Sequence, residues 1–266
     1  MKMTRRHFGA LAGSAFGSVA FGGACRWSES LAGHRFSGAG SSEANDGRLA
    51  ARPQAHITTS AERRSALGLD RRRDAILQLP AKTASTPLPL LVLLHGASGS
   101  GEGVLRRLGS AADEAGVAVL APDSRDSTWD AIRDGFGGDV TFLNRALERV
   151  FETVAVDPAR IAVGGFSDGA TYALSLGLIN GDLFPRVVAF SPGFIVAGTP
   201  HGTPRFFISH GRADPILPID QCSRAIVPAL RTRGYEVTFR EFDGGHEVPA
   251  TVADDAMRWV ATTPTA

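Results

Sequence analysis

Short apolar runs alternate along the chain with longer segments in which apolar residues recur at helical spacing. The apolar runs predict seven strands, at residues 74–79, 89–94, 117–121, 160–164, 186–190, 205–209 and 236–242. The segments between them predict five helices, at residues 103–115, 140–154, 170–179, 221–232 and 251–260. This alternation predicts an α/β fold in which helices flank a mostly parallel sheet.

The first 55 residues lack this alternation. Residues 1–25 combine the adjacent pair Arg5-Arg6 with an uncharged, Gly- and Ala-rich stretch, which resembles a twin-arginine export signal. An amphipathic N-terminal anchor is the alternative. Residues 26–55 are rich in Ser, Gly and Ala and predict a flexible linker. The folded domain is therefore expected to span residues 56–266.

Cys25 raises the question of lipid anchoring. It follows Gly23 and Ala24, which are typical of a lipoprotein processing site, but Gly22 stands where such a site usually has a Leu-like residue. We expect a periplasmic or extracellular protein, with a lipid anchor at Cys25 as the alternative to a soluble form. Membrane attachment would then involve the N-terminus alone. If Cys25 remains after cleavage, Cys222 is its one partner for a disulfide.

The composition narrows the class of protein. Hydrophobic residues make up 43% of the 266 residues and charged residues 21%, which is typical of a soluble globular chain and excludes a disordered one. The 28 basic and 27 acidic residues give a net charge of +1, without the basic excess of a nucleic-acid-binding protein. Two cysteines are too few for a disulfide framework or a zinc site.

The candidate chemistry lies just after the predicted strands, where ligands bind in open parallel sheets. Gly165-Phe-Ser167-Asp-Gly169 stands between the strand at 160–164 and the helix at 170–179. A serine in such a tight turn adopts strained dihedrals, and the flanking glycines provide the necessary clearance. We predict Ser167 as a nucleophile. The alternative is an ordinary turn in which Ser167 caps the helix.

A serine nucleophile needs a base and a carboxylate to orient that base. His95, His210 and His246 each follow a strand, and we predict His246 as the base because Gly244 and Gly245 allow its loop to reach over the sheet edge. His95 and His210 are expected to bond loop backbone instead. Asp214 is the predicted carboxylate.

Two other carboxylates, Asp243 and Asp220, are poorer candidates than Asp214. Asp243 lies only three residues from His246 on the same loop, which leaves little room for it to face the imidazole. Asp220 is expected to flank the following helix. The chain order Ser167, Asp214, His246 is that of the α/β-hydrolases.

An oxyanion needs two backbone N–H donors. Asp168, directly after the nucleophile, is predicted to supply one. The other is expected from the loop at 95–101, with Ala97 as first choice and Ser98 as second. This Gly-rich loop lacks the Gly-Lys-Ser/Thr ending of a phosphate-binding loop, which excludes that function.

The substrate site is expected to be open. Only about 14 residues separate the strand at 186–190 from the next one, too few for a helical lid. The loop at 124–138 is then the main loop beside the site. In this loop Trp129 is predicted either to line an acyl pocket, as a substrate-binding residue, or to pack on the domain surface.

These motifs resemble the α/β-hydrolase superfamily, in its phospholipase/carboxylesterase branch near acyl-protein thioesterases and polyhydroxybutyrate-depolymerase-like esterases. The resemblance covers residues 85–262 and includes His95-Gly96, Phe190-Ser-Pro-Gly193 and His210-Gly-Arg-Ala-Asp214. It implies a catalytic domain that cleaves carboxylic esters or thioesters through an acyl-serine, without a metal or nucleotide cofactor. Serine at position 167 argues against the cysteine-dependent dienelactone hydrolases.

The resemblance leaves several functions open. It implies a small-molecule, lipid or polymer ester as substrate and no nucleic acid as partner. A serine peptidase or a polyester depolymerase would use the same three residues, and an inactive binding module would retain the same fold. The N-terminal export segment departs from the cytosolic thioesterases and argues against a role in removing palmitate from proteins.

Overall fold

The computed structural model describes residues 46–55, 57–82 and 87–263. Within them the chain forms eight strands: β1 (Arg64–Ala66), β2 (Ala75–Gln78), β3 (Leu88–Leu94), β4 (Ala118–Pro122), β5 (Val156–Phe166), β6 (Arg186–Phe190), β7 (Arg205–Gly211) and β8 (Val237–Phe242). It also forms six helices: α1 (Gly101–Glu114), α2 (Asp130–Arg133), α3 (Gly138–Thr153), α4 (Asp168–Ile179), α5 (Ser223–Thr232) and α6 (Ala250–Ala261).

The strands form a single sheet in the order β1-β2-β4-β3-β5-β6-β7-β8. The pairs β1–β2 and β2–β4 are antiparallel, and every later pair is parallel. At the centre, Val92 of β3 pairs with Leu120 on one side and Val163 on the other. The predicted mostly parallel sheet is therefore confirmed, and the carboxyl ends of β3 to β8 lie along one edge.

Both faces of the sheet are covered by apolar side chains. Alternate residues of β3 divide between the two core clusters, with Leu90, Val92 and Leu94 in one and Leu91 and Leu93 in the other. The first cluster includes buried residues of α3 and α4, and the second includes those of α1 and α6. Burial on both faces explains why β3 is an uninterrupted apolar run.

All seven predicted strands and five predicted helices are present, with ends shifted by a few residues. The structure adds β1 and α2, which have three and four residues. Elements this short contain too few residues to show a periodicity in the sequence.

The end of the predicted linker belongs to the folded domain. Residues 46–52, which we call the N-terminal strap, pack against α3 and the end of α4. Leu49 is buried, and its N–H donates to Asn180 Oδ1 at 2.8 Å. Arg48 forms two hydrogen bonds with Asp182, whose pKa these contacts lower strongly. The predicted linker boundary at residue 55 is thus too late for this part of the chain.

The predicted export signal, Cys25 and residues 26–45 of the predicted linker lie outside the described residues. Cys222 is described, and it is fully buried at the start of α5. In the part of the chain that the structure describes, no helix has the length and apolar character needed to cross a membrane.

Candidate active site

Ser167 lies in the sharp turn between β5 and α4, at the carboxyl edge of the sheet. Its dihedrals, φ 58° and ψ −120°, are in a region that few non-glycine residues adopt. Two glycines permit this turn. A Cβ added at Gly165 would lie 2.6 Å from the Leu94 carbonyl oxygen, and one at Gly169 would lie 2.6 Å from that of His95. The backbone of β3 is therefore packed directly against the turn.

Ser167, His246 and Asp214 form a continuous chain of hydrogen bonds. Ser167 Oγ lies 2.8 Å from His246 Nε2, and His246 Nδ1 lies 2.7 Å from Asp214 Oδ2. These residues follow three different strands, β5, β8 and β7. In this arrangement the Nδ1–H donates to the carboxylate, so Nε2 is left unprotonated and accepts the serine proton.

Asp214 is held as a carboxylate by several donors. Its Oδ1 accepts from the backbone N–H groups of Ile216 and Leu217, each at 2.9 Å. Burial alone would raise the pKa of Asp214, but these bonds and the contact with His246 outweigh it and lower the pKa.

The two alternative carboxylates point elsewhere. Asp243 is exposed and pairs with Arg212 at 2.6 Å, while Asp220 pairs with Arg224 at 2.8 Å. Both are engaged with surface arginines rather than with His246.

His95 bonds loop backbone, as the sequence predicts, whereas His210 also contacts side chains, including that of Asp214, whose Oδ2 lies 3.3 Å from His210 Nε2. His95 Nε2 accepts from the Ser124 N–H at 3.0 Å, so its Nδ1–H donates to the Gly96 carbonyl at 2.7 Å. His210 Nε2 lies 2.7 Å from the Leu217 carbonyl, and its Nδ1 lies 2.7 Å from Ser223 Oγ. Burial lowers the pKa of both histidines, which favours the neutral form.

The loop after β3 lies against the nucleophile. A Cβ added at Gly96 would be 3.3 Å from Ser167 Cβ. Among the described residues, the N–H groups of Ala97 and Asp168 have no recorded acceptor. The Ser98 N–H instead donates to the Ser127 carbonyl at 2.6 Å, so the second choice of oxyanion donor is already occupied. Ala97 and Asp168 therefore stay the predicted oxyanion donors.

Trp129 lies neither at an acyl pocket nor on the domain surface, so both predicted positions are wrong. Its side chain is fully buried, and Nε1–H donates to the His95 carbonyl at 2.9 Å. The indole stacks on Tyr172, with 5.2 Å between ring centroids. A buried indole needs an acceptor for its N–H, and the peptide after β3 provides one. Trp129 thus fixes the peptide at the start of the loop at 95–101.

Two carboxylates after β4 were not predicted: Asp130 begins α2, and Asp139 lies in the first turn of α3. Asp130 Oδ2 accepts from the N–H groups of Gly137 and Asp139, and its Oδ1 accepts from Tyr172 O–H. Asp139 is buried and accepts from the Arg125 and Asp130 N–H groups. Burial is the main cause that raises the pKa of Asp139 to about 6. The available sequence signal was two acids nine residues apart, one in the predicted loop at 124–138 and one directly after it.

The rim of the site formed by residues after β6 and β7 is open and apolar. Residues 191–204 contain no helix, which confirms the expectation that no helical lid covers the site. Among the described large apolar side chains, Phe194 and Ile216 are the exposed ones, at 37% and 64%. Phe194 follows β6, which pairs with β5, and Ile216 follows β7, the next strand of the sheet. A Cβ added at Gly193 would lie 3.4 Å from Leu217.

No group of three or more His, Cys, Asp or Glu side chains within the described residues has an arrangement that would hold a metal ion. The geometry at the sheet edge is that of a serine, a base and an orienting acid. Such a site suits acyl transfer to a serine oxygen.

Comparison with known proteins agrees with this geometry. The phospholipase/carboxylesterase family model matches residues 133–263, a segment that contains Ser167, Asp214 and His246. The matched segment is just under half of the chain, and over it the chain resembles this family. Among solved structures, the fold is similar to that of the Bacillus cereus carboxylesterase, with a TM-score of 0.55 and 21% identity over 72% of this chain and 94% of the other.

Two curated relatives are named as esterases. Putative esterase NocK of Nocardia uniformis subsp. tsuyamanensis is 32% identical over 187 residues, which cover 65% of this chain. The match covers 54% of NocK, so the chain spans about half the length of that relative. Feruloyl esterase C of Emericella nidulans is 28% identical over 223 residues, 69% of this chain and 82% of the relative.

Proposed function

We propose that this protein is an α/β-hydrolase and an exported serine carboxylesterase that works through an acyl-Ser167 intermediate. The observation that carries the proposal is the continuous hydrogen-bond chain from Ser167 through His246 to Asp214, with distances of 2.8 and 2.7 Å. The esterase names of the relatives support the choice of an ester as substrate.

In the first half of the reaction, Ser167 Oγ attacks the ester carbonyl carbon while His246 Nε2 takes the serine proton. The N–H groups of Ala97 and Asp168 stabilise the negative oxygen that forms. The carbon–oxygen bond to the alcohol then breaks, and the alcohol leaves with the proton from His246. Asp214 stabilises the imidazolium throughout.

In the second half, a water molecule attacks the acyl-serine, and His246 accepts its proton. The tetrahedral intermediate collapses with release of the carboxylic acid, and His246 returns the proton to Ser167. The open rim near Phe194 leaves room for substrates of several shapes, which favours an ester of a small molecule over a buried lipid chain.

A fluorophosphonate probe tests the nucleophile. It should add one phosphonyl group to the protein, at the peptide that contains Ser167, and block hydrolysis of 4-nitrophenyl acetate. Ser167→Ala should remove both labelling and hydrolysis, by about 10⁶ in kcat. Ser175→Ala is a matched control on α4, because Ser175 is buried and bonded to the Thr171 carbonyl. Labelling of Ser167→Ala, or retention of a tenth of the activity, would refute the assignment.

The choice between ester and amide is tested by substrate profiling. Acyl esters of graded chain length should be cleaved, whereas a matched anilide and a solid polyester should not. Cleavage of the anilide at a comparable rate would favour the serine peptidase, and release of soluble products from the polyester would favour the depolymerase. Absence of labelling and of all hydrolysis would favour the binding module.

Export is the second part of the proposal, and it rests on the Arg5-Arg6 pair before an uncharged stretch. Substitution of both arginines by lysine keeps the charge and removes the guanidinium pair, so the protein should accumulate in the cytoplasm. Unchanged export would favour a general secretory signal. Cys25→Ser should shift a lipid-anchored protein from the membrane fraction to the soluble fraction. A wild-type protein that is already soluble would exclude the anchor.

A further inference from the structure

A cleft of about 540 Å³ runs alongside the proposed oxyanion loop. Gly96 and Ala97 of that loop line it, together with Phe166, the residue before the nucleophile. The second turn of α1 adds Arg106 and Arg107, both exposed. The volume falls within the range of small-molecule sites.

Arg107 is an uncompensated positive charge close to the reacting groups. Its guanidinium carbon lies 4.9 Å from the centroid of the Phe166 ring, and that ring lies 4.7 Å from the His246 imidazole. The Phe166 ring thus separates the Arg107 charge from the proposed base. Among the residues that the structure describes, Arg107 forms no recorded ion pair with a carboxylate.

Arg106 is only partly neutralised. It lies 3.4 Å from Glu102, and the same carboxylate accepts a shorter bond, 2.6 Å, from Arg64. Hydrogen bonds also hold the carboxylates of Asp168 and Asp214 away from the lining of the cleft. Asp168 accepts from Thr128 Oγ1 at 2.6 Å, and Asp214 accepts from His246. None of the residues that line the cleft is acidic, so its charge is positive.

We propose that this cleft binds a carboxylate on the substrate, so that the enzyme prefers anionic esters. The inference rests on the proposed esterase function and names its substrate class. A guanidinium group presents paired N–H donors that match the two oxygens of a carboxylate. With its carboxylate on Arg106 and Arg107, the substrate lies across Phe166 and places its ester carbonyl beside Ser167 and Ala97.

The test compares charged and neutral esters that are otherwise matched. On the alcohol side, 4-acetoxybenzoate is paired with its methyl ester. On the acyl side, the mono-4-nitrophenyl ester of adipic acid is paired with its methyl ester. At low ionic strength we expect kcat/KM to be about tenfold higher for the anion of at least one pair, as two weakly screened surface contacts would give. The pair that shows it identifies which half of the ester enters the cleft.

Arg106→Gln with Arg107→Gln should reduce this ratio to about one, mainly through KM, because the two charges act on binding. Arg149→Gln with Arg258→Gln removes the same charge from exposed positions on α3 and α6 and should leave the ratio unchanged. Sodium chloride at 0.5 M should reduce the ratio in the wild type and have little effect on it in the Arg106/Arg107 variant.

A wild-type ratio near one, or a ratio that the Arg106/Arg107 substitutions leave intact, would overturn the proposal. A drop of the same size in the Arg149/Arg258 variant would also overturn it, since net charge alone would then explain the preference. These outcomes differ from failure of the proposed function, in which neither member of a pair would be hydrolysed and the phosphonate would not label Ser167.

Discussion

Replacing Asp214 by asparagine is the most informative change at this site, because it keeps the shape of the side chain and reverses one hydrogen bond. In the structure, Oδ1 accepts from two backbone N–H groups and Oδ2 accepts from His246 Nδ1–H. An asparagine has a single carbonyl oxygen. Since the backbone donors of Ile216 and Leu217 cannot turn away, that oxygen should stay with them.

The NH₂ group of the asparagine then faces His246, where it meets another donor. His246 can relieve this conflict by moving its proton from Nδ1 to Nε2, so that Nδ1 accepts from the amide. The Nε2–H then points at Ser167 Oγ and cannot take the serine proton. Loss of the correct tautomer in serine hydrolases costs about 10⁴ in kcat, which corresponds to about 5 kcal/mol in the barrier.

The assay is initial-rate hydrolysis of 4-nitrophenyl acetate by Asp214→Asn and by Asp243→Asn. Asp243 is the matched control, since it is three residues from His246 on the same loop but 88% exposed and paired with Arg212. We expect a decrease of about 10⁴ in kcat for Asp214→Asn and less than about twofold for Asp243→Asn.

Thermal unfolding of both variants checks that the fold is retained. A folded Asp214→Asn protein with more than a tenth of wild-type activity would refute the tautomer argument. A large loss in Asp243→Asn would show that the wrong carboxylate had been assigned.

Three further predictions concern stability. Trp129→Phe should reduce the free energy of unfolding by about 2–4 kcal/mol, because the bond to the His95 carbonyl is lost and the ring is smaller. A loss under about 0.5 kcal/mol in urea denaturation would show that the indole does not stabilise the loop after β3. Leu49→Ala in the N-terminal strap should cost about 2–4 kcal/mol and expose residues 46–52 to protease, and unchanged proteolysis would contradict the strap. In the folded state the pKa of Asp139 is raised to about 6, so the folded protein binds this proton more tightly than the unfolded chain does. The protonated side chain therefore contributes fully to stability below pH 4, and this contribution is lost as the pH rises through 6. Relative to Asp139→Asn, the wild type should lose up to about 3 kcal/mol between pH 4 and 7, and parallel pH profiles would refute this assignment.

Most of the fold could be predicted because both faces of the central strands are buried. A strand covered on two sides must be apolar throughout, as β3 and β6 are, and such runs are visible without an alignment. The positions of Ser167, Asp214 and His246 followed from the same fact, since each stands just after a strand of a parallel sheet. Their hydrogen bonds could not be predicted, because those depend on how three loops meet.

Trp129 and the N-terminal strap show where sequence patterns carry too little information. Trp129 stands in a polar loop, and only its distant partners His95 and Tyr172 determine that it is buried. The strap contains one large apolar residue, Leu49, among polar and small ones, so no periodicity indicates that it is packed. It is held largely by side chains of other elements, Asn144, Asn180 and Asp182.

The burial of Trp129 also connects two parts of the site that are far apart in sequence. The His95 carbonyl accepts from Trp129 Nε1, and the same carbonyl oxygen lies so close to Gly169 that a Cβ there would be 2.6 Å away. One peptide is therefore fixed between the loop after β4 and the turn that carries Ser167. Because Ala97 follows this peptide and Asp168 precedes Gly169, the two proposed oxyanion donors are held at a set separation. The buried Trp129 side chain thus helps to position the two proposed donors before the negative charge forms between them.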